Sequence, residues 1–384
     1  VRPDQEEQVM GGRPKVVVAG MGDTGVLVAS NLGKRFDVVG IATRPALVSG
    51  QELGNRLARP EFWRRNNLTT FDRFRKLDRV HVVHGAITDV DLEGRRVTVE
   101  VPDGPPLRLG YDVLVIATGV TNGFWRKDRV ESLAEVRDEM DAIGARIDAA
   151  GSIGVVGGGA TGVSAAANLA RRHPDKAVHL FYGQDEPLPG YHPKVRRHLT
   201  KELTAAGVHL HPGHRAAVPD GFALDELTPG PISFSTGQEP AEVDLVLWAI
   251  GAVKPNTAFL PDEILDEQGF VRVDAELHVA GHPEVFAVGD VAATDPHRSS
   301  ARNWAYRLVV NNVKALVAGT PEKAKPYVAP EHRWGSIIGP QEDGMTVYQP
   351  NGKWFRVPRW AVQPILIDVI TKGVIYGGIR RSRR

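Results

Sequence analysis

Lys15-Val16-Val17-Val18-Ala19-Gly20-Met21-Gly22-Asp23-Thr24-Gly25 is the stretch from which the fold is read. A short β-branched run enters G-x-G-x-x-G, a helix-compatible stretch continues from Gly25 to Leu32, and a second apolar strand follows from Val38 to Thr43. Strand, glycine turn and helix in that order are what dinucleotide binding requires. Gly20 permits the tight turn, Gly22 lets the backbone approach a pyrophosphate, and Gly25 lets the helix pack closely on the strand. The first turn of the helix offers unpaired N–H groups and a positive dipole end to phosphate.

The same grammar returns later. Ser152 to Val156 is an apolar strand, Gly157-Gly158-Gly159-Ala160-Thr161-Gly162 the turn, Val163 to Arg171 an alanine-rich helix and Ala177 to Tyr182 the next strand. One glycine-rich connection can be a tight turn and nothing more. Two of them, each between a strand and a helix, predict two parallel-sheet α/β domains that each hold a dinucleotide.

The bulk of the chain agrees with that reading. Its 384 residues, 42% hydrophobic, suffice for two or three domains. The formal net charge of +1 leaves no global field to recruit nucleic acid. There is no cysteine, which removes disulfides, thiolate metal sites and every redox mechanism that needs sulfur. The first residues lack an apolar core typical of a signal peptide, and no run of 18 apolar residues occurs, so a soluble, cytoplasmic body is expected.

Between the two loops, His81 to His84 and Arg96 to Val101 read as strands of an antiparallel excursion, and Tyr111 to Thr118 as a buried strand. A charged helix is expected from about Arg129 to Ala149. Strands at Val243 to Ile250 and Val285 to Val288 end in Gly251 and in Gly289-Asp290. Beyond about Lys325 the composition turns aromatic, proline-rich and basic, as expected of a separate C-terminal module.

Tyr111-Asp112-Val113-Leu114-Val115-Ile116-Ala117-Thr118-Gly119 and Val285-Phe286-Ala287-Val288-Gly289-Asp290 join the two loops as four ordered motifs. From about Lys15 to Gly319 the chain resembles the two-dinucleotide-domain flavoproteins of the pyridine nucleotide-disulfide oxidoreductase fold. The resemblance implies an α/β chain of two Rossmann-like, three-layer ββα domains, the NAD domain inserted in the FAD domain, plus a small C-terminal module. Residues 13–122 and 255–325 would bind FAD, 123–254 NAD(P)H, and 326–384 would form the module. Implied FAD contacts are Gly20, Gly22, Asp23, Thr24, Gly25, Thr43, Arg44, Ala86, Ala117, Thr118, Gly119, Gly289 and Asp290. Implied NAD(P)H contacts are Gly157, Gly159, Ala160, Thr161, Gly162 and Gly251. Asp290 would accept hydrogen bonds from the ribityl hydroxyls, or, on the plainer reading, cap a helix.

Members of this family divide by what receives the electrons. Without cysteine, the branches left are type II NADH:quinone reductases, apoptosis-inducing-factor-like and ferroptosis-suppressor-like quinone reductases, and ferredoxin or rubredoxin reductases. Leu188-Pro189-Gly190-Tyr191-His192-Pro193-Lys194 and Gly281-His282-Pro283-Glu284-Val285-Phe286 resemble the ferroptosis-suppressor-like group most, as does the short C-terminal module. The implied activity is hydride transfer from NADH to FAD and on to a quinone-like acceptor, with a slow-turnover flavoprotein sensor as the rival outside enzymology. A monomer or homodimer is expected.

Several positions depart from the family pattern. The acid expected about 20 residues past the first loop is absent, since the strand ends Ile41-Ala42-Thr43-Arg44, and Thr43 offers only a hydroxyl. Asp23 would repel a pyrophosphate and is expected to point to solvent. Ser164 stands where many quinone-reducing relatives have glutamate, and remains a candidate near the reaction centre, as does Arg302 on the helix after Asp290 beside Trp304. The plainer reading of these last two is a surface arginine and a packing tryptophan. No arginine directly follows Tyr182, which favours NADH, although Lys194, Arg196 and Arg197 come soon after. His209, His211 and His214 lack a nearby acid or cysteine to complete a metal site, so no metal is expected. Trp354-Phe355-Arg356-Val357-Pro358-Arg359-Trp360 and the basic end Arg380-Arg381-Ser382-Arg383-Arg384 suit a membrane surface; alternatively Ile365 to Ile370 pack on the FAD domain or a second copy.

Overall fold

The computed structural model describes residues 12–50, 52–121, 129–250, 253–294, 305–329, 331–332 and 335–381. In chain order, β1 (Lys15–Ala19), α1 (Asp23–Leu32) and β2 (Asp37–Ala42) form the first strand-helix-strand unit. The pair β3 (Ala46–Val48) and β4 (Leu68–Thr70) brackets α2 (Leu53–Ala58) and α3 (Pro60–Asn67). After β5 (Val80–His84) come β6 (Ala86–Asp91), β7 (Arg96–Glu100), β8 (Leu107–Gly110), β9 (Val113–Ile116) and β10 (Val120–Thr121). The second unit comprises α4 (Leu133–Ala149), β11 (Ser152–Val156), α5 (Ala160–Arg172), β12 (Ala177–Phe181), α6 (Pro193–Ala205), β13 (His209–His211) and β14 (Leu245–Trp248). The chain returns through β15 (Lys254–Pro255), β16 (His278–Val279), β17 (His282–Ala287) and α7 (Tyr306–Val317). A hairpin of β18 (Gly344–Tyr348) and β19 (Trp354–Pro358) then leads to α8 (Arg359–Ala361), which widens into a π-helical segment over Val362–Ile375.

The larger sheet runs β16-β17-β9-β1-β2-β5 and is parallel except at β16. β1 lies inside it and alternates between two covered faces. Val16 and Val18 pack toward α1 and α7, while Val17 and Ala19 pack toward the meander of β6, β7 and β8. A strand buried on both sides reads as a continuous apolar run, which is why Lys15–Ala19 shows no polar alternation. The smaller sheet, β13-β12-β11-β14, is wholly parallel and built from residues between Ser152 and Trp248. The larger sheet takes its strands from both sides of that stretch.

One strand assignment needs correction. β5 is not part of the antiparallel excursion but the parallel edge of the larger sheet, with Val38 opposite Val80 and Ala42 opposite His84. A short β-branched run carries no information about which neighbour it will pair with. The expected charged helix is present as α4; it starts at Leu133 because Ser132 and Glu135 form a reciprocal capping box.

Candidate functional site

The two glycine turns repeat one steric pattern. Gly20 has φ +96°, and a Cβ there would sit 2.7 Å from the Ala117 carbonyl oxygen; a Cβ on Gly25 would sit 1.8 Å from the Gly20 oxygen. A Cβ on Gly22 would meet nothing within 4 Å. In the second turn, Gly157 (φ +126°) faces the Ala249 oxygen at 2.3 Å, Gly162 faces the Gly157 oxygen at 1.9 Å, and Gly159 again faces open space. The outer glycines are therefore imposed by chain packing, and the middle one borders a space from which packing does not exclude a side chain. That open face is where a pyrophosphate would lie. Gly22 and Gly159 are also the N-caps of α1 and α5, and neither helix has a side-chain cap, in contrast to α4. Their first-turn N–H groups remain available to an anion.

At the first turn the open face enters a cavity of about 510 Å³. Every implied FAD contact except Gly25 lines it: Gly20, Gly22, Asp23 and Thr24 at the turn, Thr43 and Arg44 beyond β2, Ala86 after β5, Ala117, Thr118 and Gly119 beyond β9, and Gly289 and Asp290 beyond β17. The parallel order of these strands brings their carboxyl ends together at one edge, where open α/β sheets hold ligands. Gly25 has a structural task instead, holding α1 against the turn. At the second turn, Gly157, Gly159, Ala160, Thr161 and Gly162 are gathered at the start of α5. Gly251, Arg302 and Trp304 lie outside the described residues. Both cradles have the shape and donors that fit a dinucleotide.

Asp23 does not face solvent as expected. It is half-buried and accepts hydrogen bonds from Ser49 Oγ at 2.7 Å, the Gly50 N–H at 2.8 Å and the Tyr376 hydroxyl at 3.3 Å. Three donors replace water around it, which lets a carboxylate stay in a phosphate loop. Ser164 is also displaced from its expected role. It is 5% exposed under α2, where a Cβ on Gly54 would come within 2.4 Å of its carbonyl oxygen and 2.5 Å of its Oγ. It does not line the cavity, and a glutamate at this position would have to displace α2.

Other residues of the site gave no sign in the sequence. Glu131 donates its N–H to the carbonyl of Thr43, at the tip of β2 where the expected acid is missing. Its carboxylate, 2% exposed, takes a 2.7 Å hydrogen bond from Arg44 Nε, and its second oxygen lies 3.7 Å from Arg129 Nε. Asn256 joins β10 to the returning chain: its amide donates to the Thr118 carbonyl, its N–H to that of Gly119, and its own carbonyl accepts from Thr118 Oγ1. At the tip of β12, Tyr182 is 4% exposed, and burial raises its hydroxyl pKa and keeps it neutral. The neighbouring histidines stack on one another, with His179 Nδ1 3.0 Å from His211 Nε2 and the rings of His179 and His209 4.8 Å apart.

The C-terminal segment has an anchored end and an exposed arc. Tyr376 packs edge-on against Phe74 at 5.4 Å, Ile379 bridges to Phe74, and Arg380 pairs with Asp78. By contrast, seven of the eleven exposed large apolar side chains among the described residues fall between Trp354 and Val374, Ile365 and Ile370 among them. Within Ile365 to Ile370, Leu366 and Ile367 are half-buried while Ile365, Val369 and Ile370 are exposed, and Gln363 and Lys372 on either side donate to Asn66 of α3.

A sequence model of the pyridine nucleotide-disulphide oxidoreductase family matches residues 14–315. Oxidoreductase ptaL of Pestalotiopsis fici is 34% identical over 258 residues, covering 64% of this chain and 66% of its own, so the chain spans just under two thirds of that relative. Ferroptosis suppressor protein 1 of Xenopus tropicalis is 27% identical over 323 residues, covering 79% and 81%. Among solved structures, NDH2 from Plasmodium falciparum in complex with NADH superposes with a TM-score of 0.65 at 15% identity, covering 91% and 92%; at that identity the likeness concerns the fold alone.

Proposed function

The chain belongs to the pyridine nucleotide-disulphide oxidoreductase family, and we propose that it is an NAD(P)H-dependent flavin oxidoreductase delivering reducing equivalents to a quinone-like acceptor. Its cofactors are FAD, at the first turn, and a nicotinamide dinucleotide, at the second. The observation that carries the reading is the doubled glycine pattern, closed at the outer positions and open at the middle one in both turns. When bound, FAD supplies the chemistry, taking hydride from the nicotinamide and passing electrons to the acceptor.

The protein's own residues bind and orient. Gly22 and Gly159 admit phosphate to the helix N-termini, Asp290 stands at the end of β17 to receive hydroxyl groups, and Asn256 fixes Thr118 and Gly119 at the cavity wall. No thiol relay is available, because the chain has no cysteine. The choice of quinone rests on the resemblance to the ferroptosis-suppressor-like and type II NADH:quinone groups, and on the exposed arc around Phe355, Trp360 and Val369. An apolar surface edged by Arg356 and Arg359 suits peripheral contact with a lipid bilayer, where such acceptors dissolve.

The test is rapid mixing. Protein reduced by one equivalent of NADH is mixed in turn with a short-chain ubiquinone analogue, oxygen and ferredoxin, and flavin absorbance is followed. The quinone analogue is expected to reoxidise it fastest. Faster reoxidation by ferredoxin would assign the acceptor to an electron-transfer protein, and slow reoxidation by all three would favour a sensor.

A further inference from the structure

In a dinucleotide-binding unit the adenosine ribose lies at the tip of the second strand, where an acid takes the 2′-hydroxyl or an arginine nearby takes a 2′-phosphate. In the second unit that tip is Phe181-Tyr182-Gly183, with no carboxylate at any of the three positions. Tyr182 is turned inward: a Cβ on Gly158 would lie 2.8 Å from its Cβ. The chain after β13 is laced to this tip by backbone bonds, Tyr182 N–H to the His211 carbonyl (3.2 Å), His214 N–H to the Tyr182 carbonyl (3.0 Å) and Gly213 N–H to the Gln184 carbonyl (3.2 Å). They deliver Arg215 to Gly183, where an ideal Cβ would sit 3.5 Å from both Cβ and Nε of the arginine and 3.8 Å from a terminal nitrogen.

Arg215 is held by its backbone and free at its head. Its N–H donates to Thr236 Oγ1 at 3.1 Å, and its carbonyl accepts from the Ser235 N–H and Oγ at 2.8 and 3.1 Å. The residue is exposed, and its guanidinium makes no ion pair among the described residues. Arg196, the arginine that stands nearest after Tyr182 in sequence, is already engaged by Glu186 at 3.1 Å and the Pro187 carbonyl at the same distance. Glu186 is thereby neutralised, and Asp185 is the exposed acid that remains close by in sequence.

We infer that Arg215 reads the 2′-phosphate of NADPH, so that the second site accepts the phosphorylated nucleotide through an arginine contributed by the turn that follows β13. A planar guanidinium lying over a glycine presents forked donors to a phosphate, and no strand-end acid opposes it. The expectation of NADH rested on the absence of an arginine directly after Tyr182, and among the later cations it weighed Lys194, Arg196 and Arg197 but not Arg215. The inference rests on the second turn being the nicotinamide site.

The experiment is calorimetric titration of the FAD-loaded full chain with NADP⁺, NAD⁺, 2′,5′-ADP and 3′,5′-ADP, for the native protein, Arg215→Ala and Arg215→Lys. Loss of charge-assisted hydrogen bonds should weaken NADP⁺ and 2′,5′-ADP by about 10- to 100-fold in Arg215→Ala, with Arg215→Lys intermediate and NAD⁺ within about twofold. An unchanged NADP⁺ affinity, or equal weakening of NADP⁺ and NAD⁺, overturns the inference. Equal weakening of 2′,5′- and 3′,5′-ADP overturns it as well, by showing unspecific attraction for phosphate. If neither NADP⁺ nor NAD⁺ binds the native protein, it is the reading of the second turn that falls, and the inference with it.

Discussion

Replacing each glycine of the two turns by alanine should separate fold from ligand. At Gly25 and Gly162 the new Cβ would lie 1.8 and 1.9 Å from a carbonyl oxygen, well inside the 3.0 Å below which such contacts are essentially never seen, so α1 or α5 must move off its strand. Overpacking of this kind costs about 1–3 kcal/mol. At about 2–4 °C per kcal/mol for domains of 150–250 residues, Gly25→Ala and Gly162→Ala should melt about 2–12 °C lower. At Gly22 and Gly159, with φ of −73° and −77° and nothing within 4 Å, the methyl group fits and costs at most about 1 kcal/mol of capping. It does occupy the pyrophosphate's approach to the helix N–H groups, whose charged hydrogen bonds are worth about 1.5–3 kcal/mol, or roughly 10- to 100-fold in affinity. Flavin fluorescence titration and NADH titration read affinity, and melting at saturating FAD keeps ligand loss from passing as unfolding. Gly22→Ala should lose FAD and keep NADH, and Gly159→Ala the reverse. A crossed result would reverse the assignment of the two sites; a Gly22→Ala protein with native affinity for both would show that phosphate does not lie on the open face.

Three other outcomes are expected. Glu131→Ala removes the buried carboxylate that pairs with Arg44 and should cost about 3–5 kcal/mol, with Glu131→Gln milder; an unchanged melting temperature in the alanine variant would show that water replaces the carboxylate. Burial, with His179, His214 and His209 adding repulsion, lowers His211 from 6.5 to about 4. The unfolded chain therefore takes up a proton near pH 6.5 that the folded chain refuses until about 4, so stability should fall as pH drops through that window. The fall should be shallower in His211→Asn, and an identical pH profile for the two proteins would remove His211 as its source. Trp360→Ala with Val374→Ser should reduce co-sedimentation with anionic liposomes at low salt, and no binding by the native protein under those conditions would end the membrane reading.

The parts of the molecule legible in the sequence are those enforced within a few residues. Gly20 and Gly25 collide with their own turn and with the adjacent strand if given a Cβ, so their spacing alone announces the geometry. Val16 to Ala19 announce a strand covered on two faces by being uniformly apolar. What stayed hidden is made by distant segments meeting. Glu131 reaches Thr43 through the crossover between units, Tyr376 reaches Asp23 from the far end of the chain, and Arg215 reaches Gly183 from the turn after β13. No spacing rule connects these pairs, and a search confined to the residues after a strand finds a missing acid or arginine where the fold has brought a charged group from elsewhere. Ser164 shows the converse. Its place after the last glycine is right for a site residue, but Gly54 has allowed α2 to close over it.

The anchored end of the C-terminal segment bears on how its exposed arc must be tested. Deleting everything from Trp354 onward would remove the apolar side chains that face outward, and with them the Tyr376 hydroxyl that donates to Asp23 at the wall of the cavity proposed for FAD. It would also remove the Phe74 contacts of Tyr376 and Ile379 and the pairing of Arg380 with Asp78, all on the larger sheet's helical side. A truncated protein that lost both liposome binding and FAD would therefore fit a membrane element and a structural strap equally well. Trp360 at 72% and Val374 at 63% exposure can be changed without touching either contact, whereas Tyr376→Phe removes the hydrogen bond to Asp23 and keeps the ring against Phe74. If the segment serves two purposes, the first pair of changes should alter lipid binding with FAD retained, and the second should alter FAD retention with lipid binding intact.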